Sequence, residues 1–254
     1  MKRIRTNSKI HTLAITLLLL CAVSITSYGQ KKVSLEKITT NVNGKGLSMK
    51  LDVKVGHEFN NPGLAIWIED TEGNYIQDLY ISESVATGVF DRAKNTSGKW
   101  ESGNIRRPAA LPYWSHKRNI KAADGLFTPD ESTAVPDAYS GATPVSNFQL
   151  VTKLDKSAEN KFRVVLEVNQ SWDWNDHWTN GKYPNNSEYK TSSQPSLVYA
   201  VTVYMEDEFD TYFLNAIGHG HFAGENGNLY TDLSTLSTAK QILDKIVLQV
   251  NQKE

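Results

Sequence analysis

The chain has 254 residues, with 27 Lys plus Arg against 28 Asp plus Glu and a single cysteine. This near-neutral balance gives no electrostatic basis for nucleic-acid binding. One cysteine excludes an intrachain disulfide framework and a cysteine-ligated metal site, and the length suits one domain, or one domain with a large insertion.

The first 29 residues read as a signal peptide. Lys2, Arg3, Arg5 and Lys9 precede an apolar run from Leu13 to Val23. Ser27-Tyr28-Gly29 then offers small residues at the two positions a signal peptidase reads, so cleavage is expected between Gly29 and Gln30. The run is too short for a comfortable membrane span, and Leu19-Leu20 ahead of Cys21 does not form a lipid-attachment box. The mature chain, 30–254, is therefore expected to be periplasmic or secreted and not to span a membrane. Losing four basic residues and the cysteine leaves 23 Lys plus Arg against 28 Asp plus Glu, a net charge of −5.

Leu47 to Val55 alternates apolar and polar residues without a break, as a strand with one wet face should. Pro62-Gly63 marks a turn, and Leu64-Ala65-Ile66-Trp67-Ile68 reads as a more fully buried strand. Glu69-Asp70-Thr71-Glu72-Gly73-Asn74 is a hairpin-like connection into a strand from Tyr75 to Ile81. Residues 88–144 differ, because Gly, Pro, Ser and Asn interrupt any period, and they read as a long irregular insertion. Its aromatic residues, Trp100, Tyr113, Trp114 and Phe127, nevertheless need burial. Arg106, Arg107, Lys117 and Arg118 flank Tyr113 and Trp114, and two readings stand. Either the cations neutralise a ligand phosphate while the aromatics cover a flat ring, or a solvated basic loop packs its aromatics on the body of the fold.

Past the insertion, Phe148, Leu150, Thr152 and Leu154 alternate, and Phe162, Val164, Leu166 and Val168 form the clearest inward row. Residues 197–204 and 212–217 read as two further strands. Leu236, Ala239, Ile242 and Leu243 carry helical spacing, which predicts a short C-terminal helix over 234–244. Ile246, Leu248 and Val250 close the chain as a short strand. About eight strands with hairpin-scale turns predict an all-β fold, an antiparallel, immunoglobulin-like β-sandwich in a single domain over 30–254.

Two constellations follow the best strand. Trp172, Asp173, Trp174, Asp176, His177 and Trp178 share one loop, where binding residues often lie. They read as a glycan or protein-binding platform stacked on the tryptophans, as a wall beside a cofactor, or as a loop anchored by its aromatics. His219 and His221 sit two apart, which on a strand puts both imidazoles on one face. They read as half of a metal site or as residues that order loops near the segment 137–143. The chain has no Gly-x-Ser-x-Gly elbow, His-Glu-x-x-His or phosphate-binding glycine loop, so nucleophilic or hydrolytic catalysis has no support.

The segment Asp137-Ala138-Tyr139-Ser140-Gly141-Ala142-Thr143 has the form Asp-x-x-Ser-Gly-Ala-Thr. It resembles the acceptor motif of FAD:protein FMN transferase substrates, and the resemblance implies covalent FMN on Thr143. It also implies that Asp137 and Ser140 orient the loop, and that Gly141 and Ala142 admit it to the transferase cleft. Glycine would add conformations closed to other residues. One departure is Pro144-Val145, where better-known carriers place Thr or Ser two residues after the acceptor. The strand, Glu-Asp-x-x-Gly turn and strand over 64–81 resemble the opening of a periplasmic family, domain of unknown function 2271. The glycine-rich stretch after His219, through Asn226-Gly227-Asn228-Leu229-Tyr230, resembles that family's closing motif. Together these resemblances imply a periplasmic electron-transfer flavoprotein served by an FMN transferase and a membrane-bound reductase.

Overall fold

The computed structural model describes residues 35–94, 98–157, 159–207 and 210–251. The expected signal peptide and its cleavage site lie outside the described residues. Among the described residues, no helix is long and apolar enough to cross a membrane.

Two sheets face each other. One comprises β1 (Glu36–Thr39), β2 (Ser48–Val55), β8 (Phe148–Lys153), β11 (Thr211–Phe213) and β13 (Leu243–Asn251), ordered β1-β8-β2-β13-β11. The other comprises β3 (Gly63–Glu69), β4 (Tyr75–Ser82), β7 (Ser140–Gly141), β9 (Lys161–Asn169), β10 (Leu197–Tyr204) and β12 (Asn215–His219), ordered β12-β10-β9-β3-β4-β7. Period-two alternation builds the core between them. Met49, Leu51 and Val53 of β2 meet Phe162, Val164, Leu166 and Val168 of β9 in one buried cluster. The sandwich is antiparallel except at two edges, where β1 pairs with β8 and β4 with β7 in parallel. The first exception is geometric: β8 inserts between β1 and β2, so being antiparallel to β2 makes it parallel to β1.

The second sheet is buried on both faces, which explains the unbroken apolar run in β3. Its outer face carries Ala65, Trp67, Ile81, Val165 and Val198, covered by Leu111, Tyr113, Trp114 and Val135. The 88–144 insertion is thus a third layer and more regular than its composition suggests. It holds the hairpin β5 (Val89–Lys94) and β6 (Trp100–Asn104), preceded by α1 (Glu83–Thr87), and then α2 (Pro112–Arg118). Pro112 starts α2 at a position where a missing N–H costs nothing.

Two sequence expectations are corrected. The C-terminal helix over 234–244 is a single 3-10 turn, Thr238–Gln241, after which β13 begins at Leu243. Gly56 N donates to Ile242 O at 2.8 Å, and a Cβ on Gly56 would lie 1.8 Å from Gln241 O. Pinning the backbone to β2's extension leaves too few residues to offset helix nucleation. Burial of Ile246, Leu248 and Val250, worth about 1.5–3 kcal/mol each, favours strand pairing instead. The run 212–217 is two strands rather than one, since buried Leu214 carries the chain from β11 in one sheet to β12 in the other.

Candidate functional site

The candidate acceptor segment lies on the edge of the second sheet. A 3-10 turn, Asp137–Tyr139, leads into β7, which pairs Ser140 with Ile81 and Gly141 with Ser82. The backbone is clamped on both sides of Thr143. Before it, Tyr80 Oη donates to Ala142 O at 2.6 Å, with Gly141 O 3.2 Å away. After it, Glu36 Oε1 accepts from Val145 N and from Ser146 Oγ, both at 2.8 Å, and Pro144 is buried. Burial holds the Tyr80 phenol well above its usual range, so it stays a donor. Between these clamps Thr143 is half-buried, and its hydroxyl makes no hydrogen bond among the described residues. Ala142 and Asp137 are exposed.

The loop is oriented by residues other than those the motif suggests. Neither Asp137 nor Ser140 makes a side-chain hydrogen bond among the described residues, and Tyr80 and Glu36 do the holding. Nothing local in the sequence marks those two. Gly141 does not use a left-handed conformation, because it is in extended β7. A Cβ there would lie 3.4 Å from Tyr80 Cε2, an ordinary van der Waals contact, so neither backbone conformation nor packing requires glycine at this position.

The three constellations leave the second sheet at one end. Its register aligns Gly141 with Ser82, Ala65 with Ile81, Gly63 with Asn169, and Leu197 with both Val168 and His219. Thr143, the tryptophan loop after Asn169, and His219 therefore share that end. Five interstrand steps of about 4.8 Å separate β7 from β12, roughly 24 Å in all. His219 thus lies too far along the row to order the acceptor loop, which corrects that expectation.

Of the three loop tryptophans, only Trp172 faces solvent. Trp178 packs within 6.5 Å of Tyr189, Phe222 and His219, and Trp174 meets Tyr189 edge-on at 5.4 Å. Asn175 organises the turn, donating to Gln194 Oε1 and Thr235 O while accepting from His177 N and Trp178 N. Asp173 accepts from Thr238 Oγ1, and burial raises its pKa. Trp172, 48% exposed, adopts a left-handed φ of 61°, an uncommon conformation for a bulky side chain. It meets Trp100 of β6, 58% exposed, at 6.2 Å and 88°.

Both imidazoles of the His-x-His pair are engaged by their own loop. His219 Nδ1 lies 2.7 Å from Gly220 O, and its ring stacks on Tyr230 at 5.3 Å. His221 Nδ1 accepts from Ala223 N and Glu225 N, which requires the neutral ring, and burial lowers its pKa. Among the described residues, no group of three His, Cys, Asp or Glu is arranged to hold a metal ion.

The basic segment packs on the sandwich. Arg106 pairs with Asp124 and Asp130, Lys117 with Glu69, and Arg118 with Asp78. Tyr113 and Trp114 are buried, so neither covers a surface-bound ring. Fully buried Glu167 accepts from Tyr113 N at 3.2 Å, Trp114 N at 2.7 Å and Ser196 Oγ at 2.5 Å. Desolvation pushes its pKa up to about 7 against the pull of those donors.

Comparison with protein-family models, with curated proteins and with solved structures finds no match to this chain.

Proposed function

We propose that this protein is an exported electron-transfer flavoprotein that carries FMN covalently on Thr143. The resemblance to domain of unknown function 2271 and to transferase acceptor motifs motivates the reading. The observation that carries it is the state of Thr143: a threonine hydroxyl without a hydrogen-bond partner among the described residues, on a sheet-edge connection whose backbone is held on both sides. Attachment would proceed by attack of Thr143 Oγ on the FMN-side phosphorus of FAD. A phosphodiester bond forms, the pyrophosphate bond breaks, AMP leaves, and the hydroxyl proton passes to a base of the FAD:protein FMN transferase. The flavin supplies two-electron and one-electron redox chemistry, and the chain's part is to hold and expose it. A tether suits an exported carrier because a dissociated cofactor would be lost. A membrane-bound reductase is the proposed electron donor.

The test is the intact mass and in-gel flavin fluorescence of the chain co-expressed with an FMN transferase, beside Thr143→Ala. A gain of one FMN less water in the native chain, absent from the variant, supports the reading. An unmodified native chain, with the transferase active on a control substrate, sinks it.

The exposed Trp100 and Trp172 pair favours one second reading, a glycan or protein-binding module. A glycan-binding screen in which Trp172→Ala behaves like the native chain would remove it.

A further inference from the structure

We infer that Asn180 is a site of spontaneous covalent modification, at which the side-chain amide is converted through a succinimide to aspartate and isoaspartate. The inference does not depend on flavin attachment.

The chain holds three Asn-Gly pairs, Asn43-Gly44, Asn180-Gly181 and Asn226-Gly227. The reaction brings the glycine nitrogen onto the asparagine Cγ. A residue without a Cβ leaves that approach open and lets the backbone turn towards it. By sequence the three pairs are equivalent, and the fold separates them. Gly44 N is occupied, donating to Asn41 O at 3.0 Å, and a Cβ on Gly44 would lie 2.6 Å from Leu154 O. Asn226 is held by its side chain, because Oδ1 accepts from Asn228 N at 3.0 Å and Tyr230 Oη lies 3.3 Å from both amide atoms. Its neighbour Gly227 is wedged on α2, where an added Cβ would lie 2.3 Å from His116 Cβ. Neither pair can turn into the attack geometry without breaking these contacts.

Asn180-Gly181 has no such restraint. Both residues are exposed, and a Cβ on Gly181 would meet nothing within 4 Å. They are the central pair of a turn closed by Lys182 N donating to Thr179 O at 3.0 Å. That bond uses neither Gly181 N nor the Asn180 amide, and among the described residues neither group makes another. Gly181 N gives its proton to a solvent base and attacks Cγ. The new C–N bond closes the succinimide, and the amide nitrogen leaves as ammonia. Water then opens the ring, at Cγ to give aspartate or at the main-chain carbonyl to give isoaspartate. In balance one water enters, one ammonia leaves, and a neutral amide becomes a carboxylate.

The change falls within the tryptophan loop and its neighbours. Lys182 Nζ sits 4.3 Å from the centre of the Trp178 ring, and Thr179 O accepts from Tyr189 Oη at 2.7 Å. A carboxylate two residues from Lys182 competes with the ring for the cation. Isoaspartate also adds a backbone carbon to the turn that presents Thr179 O.

The experiment incubates the native chain, and the same chain unfolded in guanidinium chloride, in mildly alkaline buffer. Peptide mass spectrometry follows the gain from exchanging –NH2 for –OH at each Asn-Gly pair, and isoaspartyl methyltransferase labelling identifies the isoaspartate. In the native chain, conversion at Asn180 is expected to run at least about tenfold faster than at Asn43 or Asn226, the ratio given by about 1.4 kcal/mol of restraint. In the unfolded chain the three pairs should convert at comparable rates. Gly181→Ala, which fits the open space without a left-handed φ, should suppress conversion at Asn180 in the native chain. Native rates at Asn43 or Asn226 equal to that at Asn180 would overturn the selection by the fold. An Asn180 that stays intact in the native chain would overturn the site itself.

Discussion

Replacing Glu167 by Gln tests the reasoning about the third layer most directly, because a buried carboxylate there ties α2 to the second sheet. Glu167 is fully buried and accepts two backbone N–H groups and the Ser196 hydroxyl. Its pKa rises from 4.5 to about 7 because desolvation outweighs those donors. A folded-state value above the unfolded one means that the native state binds the proton first. The associated stability is then complete below pH 4.5 and is lost as pH rises through 7. At about 1.4 kcal/mol per pH unit, the loss is about 3 kcal/mol. Gln cannot titrate, and at pH 4.5 the native carboxyl is also neutral and also carries a donor hydrogen among the Tyr113, Trp114 and Ser196 donors, so the two chains should start close in stability. Glu167→Gln is therefore expected to gain on the native chain by about 3 kcal/mol on going from pH 4.5 to pH 8, where the native side chain is a desolvated charge. Urea unfolding followed by tryptophan fluorescence at several pH values measures both curves, and titrations common to the two chains cancel in the difference. A difference that does not change with pH would refute the assignment of a raised pKa to Glu167.

The other expectations concern the acceptor clamp, the third layer and the histidine loop. Tyr80→Phe removes the donor to Ala142 O and should cost about 1 kcal/mol of stability while slowing flavin transfer to Thr143 in a mass time course; an unchanged rate would mean the clamp does not present the acceptor. Trp114→Ala empties a fully buried site and should cost about 3–5 kcal/mol, read as a lower urea midpoint, whereas a loss below 1 kcal/mol would deny that the insertion packs as a layer. His221 has a lowered pKa and a ring nitrogen that accepts two backbone N–H groups. The unfolded state therefore takes up its proton first, and stability is lost as pH falls from 6.5 through the folded value. Hydrogen exchange of the Ala223 and Glu225 amides should accelerate on acidification from pH 7 to pH 5, relative to the intrinsic rate, and His221→Gln should abolish that dependence.

Local pattern was enough for the sandwich itself. The alternation in β2 and β9 is a property of neighbouring residues, and it states which side chains face the core before any partner strand is known. The proposal of Thr143 as an acceptor likewise came from one position in a contiguous motif. What escaped the sequence was non-local. Glu36 and Tyr80, which hold the acceptor connection, come from strands far from it in the chain, and neither stands in a recognisable pattern. The helical spacing over 234–244 gave way because Gly56 lets the 3-10 turn close against β2's extension. In the tryptophan loop, composition could not say which rings turn inward. Packing against Tyr189 and Phe222 takes Trp174 and Trp178, and leaves Trp172 outside with Trp100. Residue periodicity and motif thus determined the fold class and the candidate acceptor by themselves. The choice of which side chains clamp it, and which aromatics stay at the surface, belonged to the tertiary structure, because contacts between distant segments form only when the two sheets and the covering layer are packed together.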